Sequence, residues 1–455
     1  MPKQELRAAV SLAAVFSVRM LGLFMIYPVF ALFARGLAGA TPYTIGLALG
    51  IYGLTQGLLQ MPFGLLSDRL GRKPMIVLGL VVFALGSAWA AGAHTIAGMI
   101  GGRALQGAGA VGSVILALVA DLTAEENRTK AMALVGMTIG LSFLVSIVTG
   151  PLVAAAIGVS GIFWLMSGLA GLGIVLTVFV VPAPRRLRVH REAEPVPALI
   201  GATLRNGELL RLDFGIFALH AMLTASFLVV PGVLRAALGI SSRGAWQAYL
   251  PILLVSVVVM IPVIILGERR RRMKGVLIGA VAALAVSQFL LAFAGHHTLP
   301  VLFALTAFFT GFNIMEASLP SLVTKTAPPG ATGTATGVYS SSQFLGIFAG
   351  GVAGGWLHGH GGSGAVFEFA GALALLWLVL AATMRAPSYW ASRVLRLGEH
   401  VNPARLASDL RALPGVADAV VVAGEGVAYL KVDTKLYDPR QAADLAGAPL
   451  EPAGG

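Results

Sequence analysis

Long apolar runs, interrupted by short polar or basic clusters, fill the chain up to about residue 385. A helix crosses roughly 30 Å of hydrocarbon with about 20 residues. Twelve stretches reach that length: 9–33, 43–66, 75–92, 95–120, 130–157, 160–181, 211–234, 245–266, 275–294, 298–323, 333–356 and 364–384. The basic residues test this count, because they divide unevenly when both chain ends lie on one side. That side collects Lys3, Arg7, Arg69, Arg72, Lys73, Arg128, Lys130, the cluster from Arg185 to Arg211, the run from Arg269 to Lys274, Lys325 and Arg385. The other side receives Arg35, Arg235 and Arg243. Dropping one span would reverse every later loop and erase the asymmetry, so the pattern predicts twelve spans with both termini cytoplasmic. The first run, with Lys3 and Arg7 ahead of it, carries Arg19 and continues to Phe33 without a small-residue cleavage site, so it is expected to stay as the first helix.

An internal repeat accompanies the spans. Met61-Pro62, followed six residues after the proline by Asp68-Arg69, recurs 200 positions later as Ile261-Pro262 and Glu268-Arg269. This predicts two six-helix halves, residues 1–181 and 211–385, joined by a cytoplasmic linker, 182–210, rich in Pro, Arg and Glu. Beyond Arg385 the periodicity becomes that of a soluble domain, 386–455. A helix starts at Asn402-Pro403, carries Leu406, Leu410 and Leu413 on one face and stops at Gly415. Strands are predicted from Leu395 to Val401, Val416 to Val422 and Val427 to Val432, another helix from Asp438-Pro439, and a closing strand over Pro449 to Pro452.

Composition then removes whole classes of function. With 57% hydrophobic and 11% charged residues and a mean hydropathy of +0.85, there is too little polar surface for a soluble globule. The net charge of +12 sits in short loops rather than along one amphipathic face, which argues for membrane topology and against nucleic acid. The absence of cysteine excludes disulfides, thiolate metal sites and cysteine nucleophiles. No GxxxxGK[ST] phosphate loop occurs and no nucleophile–base arrangement emerges, so neither ATP hydrolysis nor another enzyme activity is expected, and no cofactor.

One polar cluster carries more than topology. Gly64 to Lys73 read GLLSDRLGRK, an acid and three bases between the second and third spans, so the cluster lies in a loop at the membrane surface. Asp68 adds nothing to a positive-inside signal. It suits instead the positive N-terminus of a helix that starts on the same side, as the eleventh span does near Thr332. Arg69 and Arg72 are placed to pair with Asp121 at the same end of the fourth span.

This loop resembles the signature of the major facilitator superfamily, and RALQGAGA, from Arg103, resembles the fourth-helix motif of its proton-coupled drug antiporters. The fit covers residues 1 to about 385. The fifth-helix antiporter motif is present in part, as Gly136, Gly140, Gly150 and Pro151, with Ser146 where glycine is usual. With its C-terminal module the chain is similar to the YajR-type transporters of bacteria. The resemblance implies an all-α membrane protein of twelve transmembrane helices in two six-helix halves, a small α+β ferredoxin-like domain after them, and residence in a bacterial inner membrane. It further implies that Gly64, Asp68, Arg69, Gly71, Arg72 and Lys73 form a conformational latch, in which the aspartate contacts the eleventh helix and stabilises the state closed to the cytoplasm.

An ionisable group within the bilayer costs about 2.5–3.5 kcal/mol on insertion scales and needs a partner or a watery cavity. Three lie deep: Arg19 in the first span, Arg103 in the fourth and Glu316 in the tenth. A central cavity between the halves lets Glu316 face the two bases and exchange a proton, which makes these three the proton-coupling candidates. A fixed ion pair is the competing reading. Asp213 is expected in the first turn of the seventh span, where an acid suits the helix dipole, and His220 to be hydrogen-bonded packing. Gln56, Gln60, Gln106, Asn313 and Gln343 are polar but uncharged, and of these Gln60 and Asn313 are the cavity candidates. His296, His297, His358 and His360 fall in two outer loops without nearby acids, so no metal site is expected.

Together these features imply secondary active transport by alternating access, with proton-coupled efflux of a small amphipathic or drug-like compound as the leading reading. A uniporter or importer is the first alternative, favoured by the incomplete fifth-helix motif. A membrane sensor signalling through the C-terminal domain is the second. The expected partners are an unidentified small-molecule substrate, protons and the lipid bilayer. Asp409, Asp418, Glu425 and Asp433 of the C-terminal domain are placed to dock on the basic segments 185–211 or 269–274.

Overall fold

The computed structural model describes residues 1–182, 196–295, 297–385, 390–398, 402–433 and 436–447. Among them, nine helices are long and apolar enough to cross a membrane. Two of these are pairs of spans running on through a glycine with non-helical backbone, at Gly158 in Glu125–Val175 and at Gly362 in Thr332–Thr383. A further helix of membrane length, Pro42–Leu70, is not among the nine, because its glycines and Gln56 and Gln60 dilute its apolar character. The twelve spans are therefore all present. Span 1 is Lys3–Met25 continued by Tyr27–Ala34, span 2 Pro42–Leu70, span 3 Arg72–Ala91 and span 4 Ile96–Ala108 continued by Gly112–Leu122. Spans 5 and 6 share Glu125–Val175, span 7 is Gly207–Leu238, span 8 Trp246–Arg269, span 9 Met273–Phe293 and span 10 Thr298–Thr326. Spans 11 and 12 share Thr332–Thr383.

The breaks have local causes. Pro28 has no N–H to return to Phe24, and Val29 and Phe30 bond instead to the carbonyl of Ile26, which restarts span 1. Large apolar side chains such as Leu58, Leu85, Met137, Phe179, Val258 and Phe293 are exposed on the bundle surface, as a lipid-facing surface requires. The repeat is visible in three dimensions: Pro62 and Pro262 lie inside spans 2 and 8, and Gly158 and Gly362 turn the chain between spans 5 and 6 and between spans 11 and 12.

Span 7 begins four residues earlier than its apolar run, because the Asn206 side chain caps it, accepting from the amides of Glu208 and Leu209 at 3.1 and 3.3 Å. Asp213 thus lies in the second turn, not the first, and the dipole explanation for it does not hold. His358 and His360 likewise belong to the last turns of span 11 rather than to a loop.

The C-terminal domain follows β1(Ala391–Arg396), α1(Pro403–Ala412), β2(Val416–Val422), β3(Val427–Val432) and α2(Pro439–Leu445). Its sheet is antiparallel in the order β1-β3-β2 and packs Leu406, Leu410, Leu430 and Val432 into a core of its own. The first strand starts earlier than the predicted Leu395, because it pairs with the whole of β3, from Ala391↔Val432 to Arg396↔Val427. The closing strand expected over 449–452 lies outside the described residues.

Candidate functional site

The loop motif is built around Arg72. Gly71 alone separates spans 2 and 3, with φ 94°, a conformation that a side chain would strain. The Arg72 side chain, only 1% exposed, donates from Nε to Asp121 Oδ2 at 3.0 Å and from Nη1 to Ser67 Oγ at 2.6 Å and to Asp68 Oδ1. Lys73 Nζ donates to the carbonyls of Val178 and Val181, at 3.1 and 2.8 Å, and so caps the end of span 6. Gly64 leaves room for Ser113 of span 4, whose hydroxyl donates to the Gln60 carbonyl at 2.7 Å. The pairing with Asp121 is made by Arg72, whereas Arg69 is exposed and stands outside it.

The expected contact between Asp68 and the start of span 11 is absent in this conformation, and the reason is where the halves meet. Their close approaches lie on the side away from the termini. Span 2 runs against span 11 with Gly46, Gly50 and Gly53 facing Gly351, Phe348 and Phe344. A Cβ at Gly50 would stand 2.9 Å from the Phe348 carbonyl oxygen, and one at Gly355 2.6 Å from that of Pro42. Tyr27 of span 1 meets Phe227 of span 7 edge-on at 5.4 Å, and Phe143 of span 5 stacks on Phe312 of span 10 at 5.4 Å. The bundle is closed on that side, with Asp68 turned back to its own Arg72.

Arg19 and Arg103 are buried on either side of Tyr52. Arg19 Nη2 donates to Tyr52 Oη at 2.7 Å and to Gln56 Oε1 at 2.6 Å, and Gln56 passes the chain of bonds to Gln60 Oε1 at 3.2 Å. Arg103 bonds Gln106 Oε1 and the carbonyls of Ala48 and Leu49, with its guanidinium 4.9 Å from the Tyr52 ring centroid. Both bases are therefore held by neutral oxygens and aromatic faces of their own half. Neither reaches Glu316, which corrects the expected pairing across the halves.

Glu316 instead joins spans 7 and 11. Gln343 Nε2 donates to Glu316 Oε1 at 3.4 Å and lies 2.8 Å from His220 Nε2, which is 3.8 Å from Glu316 Oε2. His220 Nδ1 is 3.3 Å from the Ile216 carbonyl, so the bond pattern fits the tautomer with the proton on Nδ1 and Nε2 accepting from Gln343. Glu316 Oε2 is buried and makes no hydrogen bond, while the side chain as a whole is 34% exposed. Asn313, one turn away, donates to Ser256 Oγ at 2.9 Å and ties span 10 to span 8, and Gln60 is buried in the Arg19 network.

The Major Facilitator Superfamily profile matches residues 12–274 and 214–414, and the YajR YAM domain profile matches residues 395–440. The chain belongs to the major facilitator superfamily. Within it, the chain is 42% identical over 434 residues to the inner membrane transport protein YajR of Escherichia coli (strain K12), with 95% of each protein covered. It is 28% identical over 379 residues to the multidrug resistance protein MdtH of Aeromonas hydrophila subsp. hydrophila, covering 79% of this chain and 88% of that one. Among solved structures, the human organic anion transporter MFSD10 (TETRAN) shares the fold at 19% identity, with a TM-score of 0.61 over 84% of this chain and 100% of that chain.

Two features of this major facilitator transporter were not readable from the sequence. The first is the joining of His220, Gln343 and Glu316, which sit on spans 7, 11 and 10; a polar residue on each was the only signal. The second is the seat of the C-terminal domain. Lys431 Nζ of β3 donates to the Thr324 carbonyl at 2.7 Å, and the Tyr429 ring covers Gly330, so β3 lies on the loop between spans 10 and 11. The linker adds a bond from Val196 N to Thr334 Oγ1 at 2.8 Å. Asp418 and Asp409, expected to dock on basic loops, pair with Arg411 at 3.1 Å and Arg405 at 3.9 Å inside the domain.

Proposed function

We propose that this protein exports a small amphipathic or drug-like compound across a bacterial inner membrane in exchange for protons, by alternating access, with both termini cytoplasmic. The observation that carries this reading is Glu316, a carboxyl within a membrane span, with one oxygen bonded to Gln343 and the other buried without a bond. The basic loops on the side of the termini support the orientation, and the names of the relatives, an inner membrane transport protein and a multidrug resistance protein, support the location and the efflux. The geometry revises the coupling step. Because Glu316 accepts from Gln343 of span 11 and lies 3.8 Å from His220 of span 7, gain of a proton changes how those spans of its own half pack. Span 11 is also the span that runs against span 2 through the glycines, so a change there reaches the contact between the halves. In the opposite state, with the cytoplasmic side closed, Asp68 meets the start of span 11.

The test is proton flux in proteoliposomes under an imposed pH gradient, with a panel of cationic, neutral and anionic compounds. Compound-dependent flux in the parent and none in Glu316→Gln is the expected result. Compounds that cross without moving protons overturn the coupling and make the protein a uniporter.

A further inference from the structure

The basic run from Arg269 to Lys274 has no role in the account so far. By the internal repeat it occupies, in the second half, the place that the loop motif holds in the first, with Glu268 at the position of Asp68 and Arg272 at that of Arg72. The backbones agree, since Gly71 and Arg271 both take positive φ, 94° and 52°. The surroundings do not. Arg72 is sealed against Asp121, but the position equivalent to Asp121 is Ser321, and Arg272 is exposed. Glu268 is engaged by Lys325 at 3.3 Å. Arg269, Arg270 and Arg272 make no ion pair or side-chain hydrogen bond among the described residues.

The turn that carries these bases is nevertheless fixed. The amides of Arg270, Arg271 and Arg272 donate to the carbonyls of Leu266, Glu268 and Gly267 at 3.0, 3.1 and 2.8 Å. Val276 of span 9 packs so closely on Gly267 that a Cβ there would stand 2.6 Å from it. Helical spacing then sets where the bases lie. Ile261, Ile265 and Arg269 follow one another at intervals of four, as do Leu266 and Arg270, and all of them are exposed. The guanidinium groups thus continue the lipid-facing apolar stripes of span 8 past their end, at the depth of the headgroups.

We propose that this turn binds anionic phospholipid in the leaflet on the side of the termini. Arg269, Arg270 and Arg272 donate to the phosphate oxygens, and the acyl chains lie along Ile261, Ile265 and Leu266. The apolar stripes select a lipid over a free anion, and the density of positive charge selects an anionic headgroup over a zwitterionic one. The site stands whether or not transport is coupled to protons.

Purified full-length protein in detergent is titrated with phosphatidylglycerol or phosphatidylcholine, and bound lipid is counted by native mass spectrometry. The parent should bind phosphatidylglycerol more tightly. Arg269→Gln, Arg270→Gln and Arg272→Gln together should weaken that binding by roughly tenfold or more and leave phosphatidylcholine unaffected. Lys3→Gln, Arg7→Gln and Arg205→Gln together, which remove the same charge from exposed positions on the same side, should keep the parent's affinity. Equal losses in the two triple variants, or none in the first, overturn the site. Release of phosphatidylglycerol by excess inorganic phosphate also overturns it, in favour of a small-anion site. If the first variant fails to fold, Arg270→Gln alone should weaken binding by about threefold or more, and an unchanged affinity counts against the proposal.

Discussion

Arg72 ties three segments together through one guanidinium. Its guanidinium is sealed from solvent and divides its donors among Asp121, Ser67 and Asp68. Removing it leaves the Asp121 carboxylate buried beside a void. Arg72→Ala should therefore lower the unfolding free energy by about 3–5 kcal/mol. Arg72→Lys, which keeps the charge but loses the planar fork, should fall between the two. Melting curves in detergent check this, and two variants that melt with the parent would remove Arg72 as the anchor of the motif. The identity of this residue was legible, since a base at Arg72 and an acid at Asp121 fall at the same end of neighbouring spans. Glu316 was legible only as an isolated intramembrane acid. Its partners depend on the rotation of three helices about their axes, which a hydrophobic run does not record. Asp213 was misplaced because the Asn206 cap extends span 7 beyond its apolar segment.

At the scale of elements, span length did most of the predicting, because the bilayer sets it from outside. The repeat was readable as well, but its charges are not copied. The motif acid of the first half, Asp68, turns to Arg72, whereas its counterpart Glu268 accepts from Lys325 of span 10 at 3.3 Å. The glycines of spans 2 and 11 were visible in the sequence, yet which faced which was not. Docking of the C-terminal domain belongs to this scale too. Because the chain has no cysteine, Thr324→Cys with Lys431→Cys gives a clean probe. A bifunctional thiol reagent of short span should join the pair in membranes in high yield. No joining, with both cysteines modified singly, would contradict the seat of β3 on the loop between spans 10 and 11.

For the whole molecule, the halves are in contact on the side away from the termini, and on the other side Asp68 bonds to its own Arg72. Glu316 touches both span 7 and span 11, the two elements whose glycine-lined packing extends to the contact between halves. Under the proposed proton-coupled export, protonation of Glu316 and the conformation of the bundle are two readings of one equilibrium. The most direct test needs no substrate. Spin labels placed across each side of the bundle in the cysteine-free chain report the two populations by double electron–electron resonance at a series of pH values. The account predicts that the populations shift with pH in the parent, and that Glu316→Gln is held at the parent's low-pH distribution throughout. A parent whose distances do not change with pH, or a Glu316→Gln protein that still shifts as the parent does, would contradict it.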